Sequence, residues 1–149
     1  MNKLSIGIGV LGVGVILTLI GVFVTVYNSP KIAFKRIFHF ALPSSAVVEK
    51  YTNTTGKDGG LYYKISFNEN DYETIVNGLG ASMGQIRKEE TPPGIVNICS
   101  WWDMNKQDVI VGYKSFFTKR DMFFGITQGE IEAFVVKTED GKYYLYVAK

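Results

Sequence analysis

The chain has 149 residues, with 16 Lys and Arg against 14 Asp and Glu, one Cys and one His, which suits a single domain of ordinary size. A single cysteine excludes a disulfide scaffold, and one Cys with one His excludes a zinc cage of about four such ligands. A formal net charge of +2 with both signs interspersed gives no basic footprint for nucleic acid, and 46% hydrophobic against 20% charged residues excludes wholesale disorder.

Residues 4–27 contain no charge, about 24 positions that at 1.5 Å rise would exceed a hydrocarbon core of roughly 30 Å. The stretch is too long for a cleaved signal peptide and leaves through Thr25-Val26-Tyr27-Asn28, where small residues would belong. This predicts an N-terminal transmembrane helix acting as a signal anchor over 1–29, one span in the cell membrane, with the C-terminal domain exported. Gly7, Gly14, Thr18, Gly21 and Thr25 would share one helix face, a candidate seam for transmembrane packing and self-association.

A juxtamembrane segment follows over 30–42, mixing Lys31, Lys35 and Arg36 with Phe34, Phe38 and Phe40. It could lie in the membrane interface, or its phenylalanines could enter a core; the residues leave both open. The domain proper is expected over 43–149. Runs 47–52 and 61–67, with Lys57-Asp58-Gly59-Gly60 between them, predict a hairpin in which Leu61, Tyr63, Ile65 and Phe67 share the core face. Asn68 is placed to cap a helix with Asp71 three residues on, and Tyr72, Ile75, Val76 and Leu79 follow helical spacing before Gly80 ends it.

Residues 81–94 read as a loop, because Gly84, the charges of 87–90 and Pro92-Pro93-Gly94 suit no strand interior. Strands are predicted around Val96-Asn97-Ile98 and Trp101-Trp102, over 109–117, and over 122–126 after a polar break at 118–121. Runs 131–138 and 143–148 flank Glu139-Asp140-Gly141-Lys142, a hairpin signal of type I′, in which both central residues take positive φ. The fold class expected is α+β: the transmembrane helix, then one antiparallel-sheet domain with one main amphipathic helix.

The order Leu42-Pro43-Ser44-Ser45-Ala46, a hairpin ending in Phe67, a helix opening with Asp71-Tyr72, then Trp101-Trp102 and a closing Tyr143-Tyr144-Leu145-Tyr146 resembles small uncharacterised bacterial membrane-anchored or lipid-linked proteins. Asp103 and Met104 stand where that pattern often has proline after the tryptophans. The resemblance implies a bacterial α+β domain and carries no activity.

No spacing announces chemistry. A nucleophilic site would have to recruit His39, between two phenylalanines, with a serine brought in by the fold or with Cys99, which reads as a small apolar strand residue. Glu69, Asp71 and Glu73 suit a helix N-terminus, Glu89 and Glu90 a solvated loop, and neither group has calcium-loop spacing. No catalytic, cofactor or metal residue is therefore assigned. The aromatic content points instead to binding, with Trp101, Trp102, Tyr62, Tyr113 and Tyr144 as the candidate surface. The function expected is a membrane-anchored, non-enzymatic binding or accessory domain whose partner is another protein. The alternative is an envelope binder of a small molecule or glycan, with a hydrolase behind it.

Overall fold

The computed structural model describes residues 15, 18, 29–54, 60–86, 100–121 and 125–149, with 118–121 and 125–128 described by backbone alone. Pro30 opens the first helix, α1 (Pro30–Phe38), where a residue without an N–H leaves nothing unpaired, and Lys35 and Arg36 in its last turn suit the negative end of the helix dipole. His39 closes it with a left-handed φ of 60°. Phe34 and Phe38, four residues apart on one face, are fully buried with ring centroids 4.4 Å apart. Of the two readings left open for this stretch, the phenylalanines take the core.

Strand β1 (Val47–Asn53) pairs antiparallel with β2 (Leu61–Phe67), the hairpin expected from its β-branched and aromatic runs. Leu61, Tyr63, Ile65 and Phe67 face the main core. A 3₁₀ turn (Glu69–Asp71) leads into helix α2 (Tyr72–Ser82), which buries Ile75 and Leu79. Neither Asn68 nor Asp71 makes a side-chain cap; the Asp71 carboxylate accepts instead from the Ser45 hydroxyl. The helix also runs through Gly80, because burying Ile75 and Leu79 outweighs the glycine's propensity cost of about 1 kcal/mol.

Strand β3 (Gly84–Ile86) lies where a loop was expected. Three residues at a sheet edge need only one partner strand, so Gly84 is tolerated there. After a second 3₁₀ turn (Lys106–Asp108), β4 (Val109–Asp121) and β5 (Gly125–Lys137) form one long antiparallel hairpin, and β6 (Tyr143–Ala148) ends the sheet. The expected polar break at 118–121 is thus the end of β4, since ladder hydrogen bonds come from the backbone and do not require apolar side chains. The spatial order is β1-β2-β6-β5-β4-β3, antiparallel throughout. Helices α1 and α2 cover one face, over Tyr63, Ile65, Ala133, Val135, Leu145 and Val147.

Two parts of the expected fold class are overturned. The N-terminal transmembrane helix is not found: no helix among the described residues is long and apolar enough to cross a membrane. Of residues 4–27 only Val15 and Thr18 are described, so Gly7, Gly14, Gly21 and Thr25 lie outside the described residues, as do 96–99. Absence of charge sets the cost of entering a bilayer but does not by itself set the backbone conformation. The domain that follows is a six-stranded antiparallel sheet carrying, among the described residues, two short helices of nine and eleven residues where one main amphipathic helix was expected.

The last turn differs as well. Gly141 has φ +81° but Asp140 does not have positive φ, and the Gly141 N–H donates to the Thr138 carbonyl at 2.8 Å. This is a three-residue loop in which a left-handed glycine follows a type I turn, not type I′. Thr138 stabilises it by donating its hydroxyl to Asp140 at 2.5 Å.

Candidate functional site

The sheet face opposite the helices is built by alternation. On β2, Tyr62 and Lys64 point away from the main core; on β6, Tyr144, Tyr146 and Ala148 do; on β5, Phe134 and Val136 do. Register sets Lys64 directly opposite Tyr146, with Phe134 on the other side of Tyr146. The segment before the 3₁₀ turn lies across this face and carries Trp101, Trp102 and Asp103.

Trp102 is the anchor. Its side chain is 5% exposed and packs edge-on to Tyr62 at 6.3 Å and to Tyr146 at 5.1 Å between ring centroids. Trp101 stays half-buried, its ring 6.1 Å from that of Trp102. These residues sit in a turn and an irregular segment, so the expected strand at Trp101-Trp102 is corrected; one indole is buried and the other partly open for reasons of packing rather than of strand alternation. The Trp102 indole N–H is buried with no partner among the described residues.

Asp103 follows and locks the segment to the sheet. The Lys64 ammonium donates to its two carboxylate oxygens at 2.7 and 2.9 Å, and the Tyr146 hydroxyl donates to it at 2.5 Å. Lys64, only 14% exposed, also lies 4.9 Å from the Tyr144 ring centroid and 5.7 Å from that of Tyr146. A cation this shielded needs a partner, and Asp103 supplies it. Partial burial raises the Asp103 carboxyl, but the hydrogen bonds from Lys64 and Tyr146 outweigh it and hold the group below the ordinary carboxylate value. Burial first, then the hydrogen bond to Asp103, pushes the Tyr146 phenol up, so it stays a protonated donor at neutral pH.

The structure therefore brings Trp101, Trp102, Tyr62 and Tyr144 to one face and leaves Tyr113, 3% exposed, in the main core on the other. Tyr62 and Trp102 are buried there, so the solvent-facing ledge is Trp101 and Tyr144, set beside the Lys64–Asp103 pair. Lys64, Asp103 and Tyr146 were not singled out from the sequence, although an acidic residue directly after two tryptophans and a lysine within an aromatic strand were available signals.

A second concavity of about 530 Å³ opens at the β1–β2–β6 end, lined by Ser45, Ser66, Asn68, Glu69, Lys142 and Tyr144 among others. Glu69 accepts from the Tyr143 hydroxyl at 2.8 Å, and that hydrogen bond, followed by the charge of Lys137, lowers its carboxyl. Ser45 and Lys142 of the same lining pair outside it, with Asp71 and Asp140. Among the described residues no three His, Cys, Asp or Glu side chains gather as a metal site. His39 is exposed at the end of α1, and Cys99 lies outside the described residues.

No protein-family model matches this chain, and no curated protein or solved structure shows significant similarity to it. The resemblance to small anchored bacterial proteins therefore rests on residue order alone.

Proposed function

We propose that this domain works by binding another protein, without catalysis, through the ledge formed by Trp101 and Tyr144 around the Lys64–Asp103 pair. The observation that carries the reading is the pairing of a buried Trp102 with a half-exposed Trp101 on a segment pinned by Asp103. An aromatic side chain held this way loses little conformational freedom when a partner covers it, and Trp and Tyr with a nearby shielded charge are the side chains that dominate interface energies. The uncharged stretch 4–27 supports a location at a membrane, as a reading of sequence only.

The test is a photo-crosslinking amino acid placed at position 101 in the full-length protein, with position 139 as an exposed control. A specific adduct at 101 is expected, and Trp101→Ala should weaken capture of that partner by about 2 kcal/mol or more while leaving the melting temperature unchanged. Equal labelling at both positions, or capture indifferent to Trp101→Ala, would refute the reading. A glycan or small molecule seated in the cleft beside Glu69 would instead be indifferent to Trp101 and sensitive to Ser66→Trp.

A further inference from the structure

The β4–β5 hairpin is longer than the sheet that supports it. Among the described residues β3 pairs only with Gly112, Tyr113 and Lys114 of β4, its Ile86 end lying nearer Val109 and its Gly84 end nearer Ser115. On the other side, the β6 ladder with β5 stops at Glu132. Residues 115–121 and 125–131 therefore form a two-stranded ribbon with neither outer edge paired among the described residues. Two-stranded ribbons are marginal alone, and a regular edge offers its free N–H and C=O groups to another strand.

The other edge of the sheet is guarded. β1 carries a bulge between Val48 and Lys50, with Glu49 displaced from the ladder, which disturbs the pattern another strand would need. From Val111 to Asp121, β4 is regular, without a bulge. On it Phe116 is 73% exposed, the most exposed large apolar side chain among the described residues.

We propose that this chain forms a two-fold dimer by antiparallel pairing of the outer edges of β4 from two copies, centred on Thr118. The residue order selects that partner and that register. Centred on Thr118, Phe116 stands opposite Arg120 of the second copy, Phe117 opposite Lys119, and Ser115 opposite Asp121, so each cation meets an aromatic residue and no like charges meet. Shifting the centre to Phe117 sets Lys114 against Arg120, and shifting it to Lys119 sets that lysine against its own copy. Intermediate registers join the helix-covered face of one sheet to the open face of the other. The charges at 119–121 thus disfavour pairing with an arbitrary strand yet suit a second copy, and the interface is isologous and closed.

The test uses the full-length chain with Cys99→Ala, so that introduced thiols are the only ones. Directly opposed residues lie about 4.5–5.5 Å apart between Cα atoms, within disulfide reach. Thr118→Cys, and separately Ser115→Cys combined with Asp121→Cys, should cross-link under mild oxidation; the two positions differ in parity, so one of them falls in the closer, non-hydrogen-bonded type of pair. Cross-linking at least about a hundredfold faster than at Glu139→Cys is expected, reflecting a millimolar local concentration. Phe116→Lys, at an exposed site that folding does not need, should weaken the dimer about tenfold by facing Arg120 with a like charge twice per interface. A chain that sediments as a monomer, cross-linking no faster than the control, or a dimer linked only through other positions would each overturn the proposal.

Discussion

At Asp103 one carboxylate holds a shielded lysine, a buried tyrosine hydroxyl and the tryptophan segment together. Asp103→Ala should destabilise by about 1–2 kcal/mol, kept modest because the carboxylate side is 62% exposed and its ion pair is screened. The folded carboxyl is held below its ordinary value of 3.8, so its contribution is present above that pH and lost as pH falls beneath it. Asp140 behaves alike: hydrogen bonds from Lys142 and then Thr138 hold it to about 2. Thermal melts should therefore show stability falling between about pH 4 and pH 2, and a double Asp103→Asn, Asp140→Asn variant should be less stable at neutral pH with a flatter acid limb. An acid limb as steep as that of the parent protein would count against these pairings. Beside Asp140, Gly141 tests backbone rather than charge. A Cβ there would meet nothing within 4 Å, so the cost of Gly141→Val, about 1–2 kcal/mol by urea titration, reports the left-handed φ alone, and Gly141→Asn should recover part of it.

Within elements, the β4 bulge is the feature that simple alternation misses. Val109 pairs with Val136 and Val111 with Val135, so Ile110 is extra, 43% exposed, and Val109 and Val111 fall on opposite faces although they are two apart. Deleting Ile110 would restore a regular ladder with every other side chain on its present face, and is expected to cost less than about 1 kcal/mol. Deleting Gly112 would also remove the bulge but would seat Val111 where Gly112 stands, and there a Cβ would meet Ile86 at 3.0 Å and Phe134 at 3.2 Å, so it should cost several times more; equal losses in melting temperature would refute the bulge as drawn. β2 was legible because Leu61, Tyr63, Ile65 and Phe67 keep strict alternation, and α2 because Ile75 and Leu79 keep helical spacing. β3 was illegible since an edge strand of three residues needs no pattern, and the length of β4 since its register is set by β5. The tryptophan pair was visible as a binding candidate, but its supports were not, because Lys64 and Tyr146 lie 39 and 43 residues from Asp103 and only the strand order brings them together.

For the molecule as a whole, the sheet is covered unequally. One face is sealed by α1 and α2, the other mainly by the short tryptophan segment. The boundary expected at residue 43 divides this first core. Phe34 lies 5.8 Å from Tyr63 between ring centroids, the Tyr63 hydroxyl donates to the Pro30 carbonyl at 3.1 Å, and the Ser82 hydroxyl donates to the Phe38 carbonyl at 2.6 Å, so α1 joins β2 to α2. Burial then raises the Tyr63 phenol, which would otherwise face water where α1 now lies. A chain beginning at Ser29 should therefore fold cooperatively, whereas one beginning at Ala41 loses two fully buried phenylalanines, each worth about 3–5 kcal/mol when removed from a core. Together that is of the same size as a typical domain stability of about 5–15 kcal/mol, so the shorter chain should bind hydrophobic dye and lose its sharp thermal transition. Phe34→Ala with Phe38→Ala in the longer chain should reproduce the defect. A cooperative melt from the chain beginning at Ala41 would show that α1 docks on a domain complete without it.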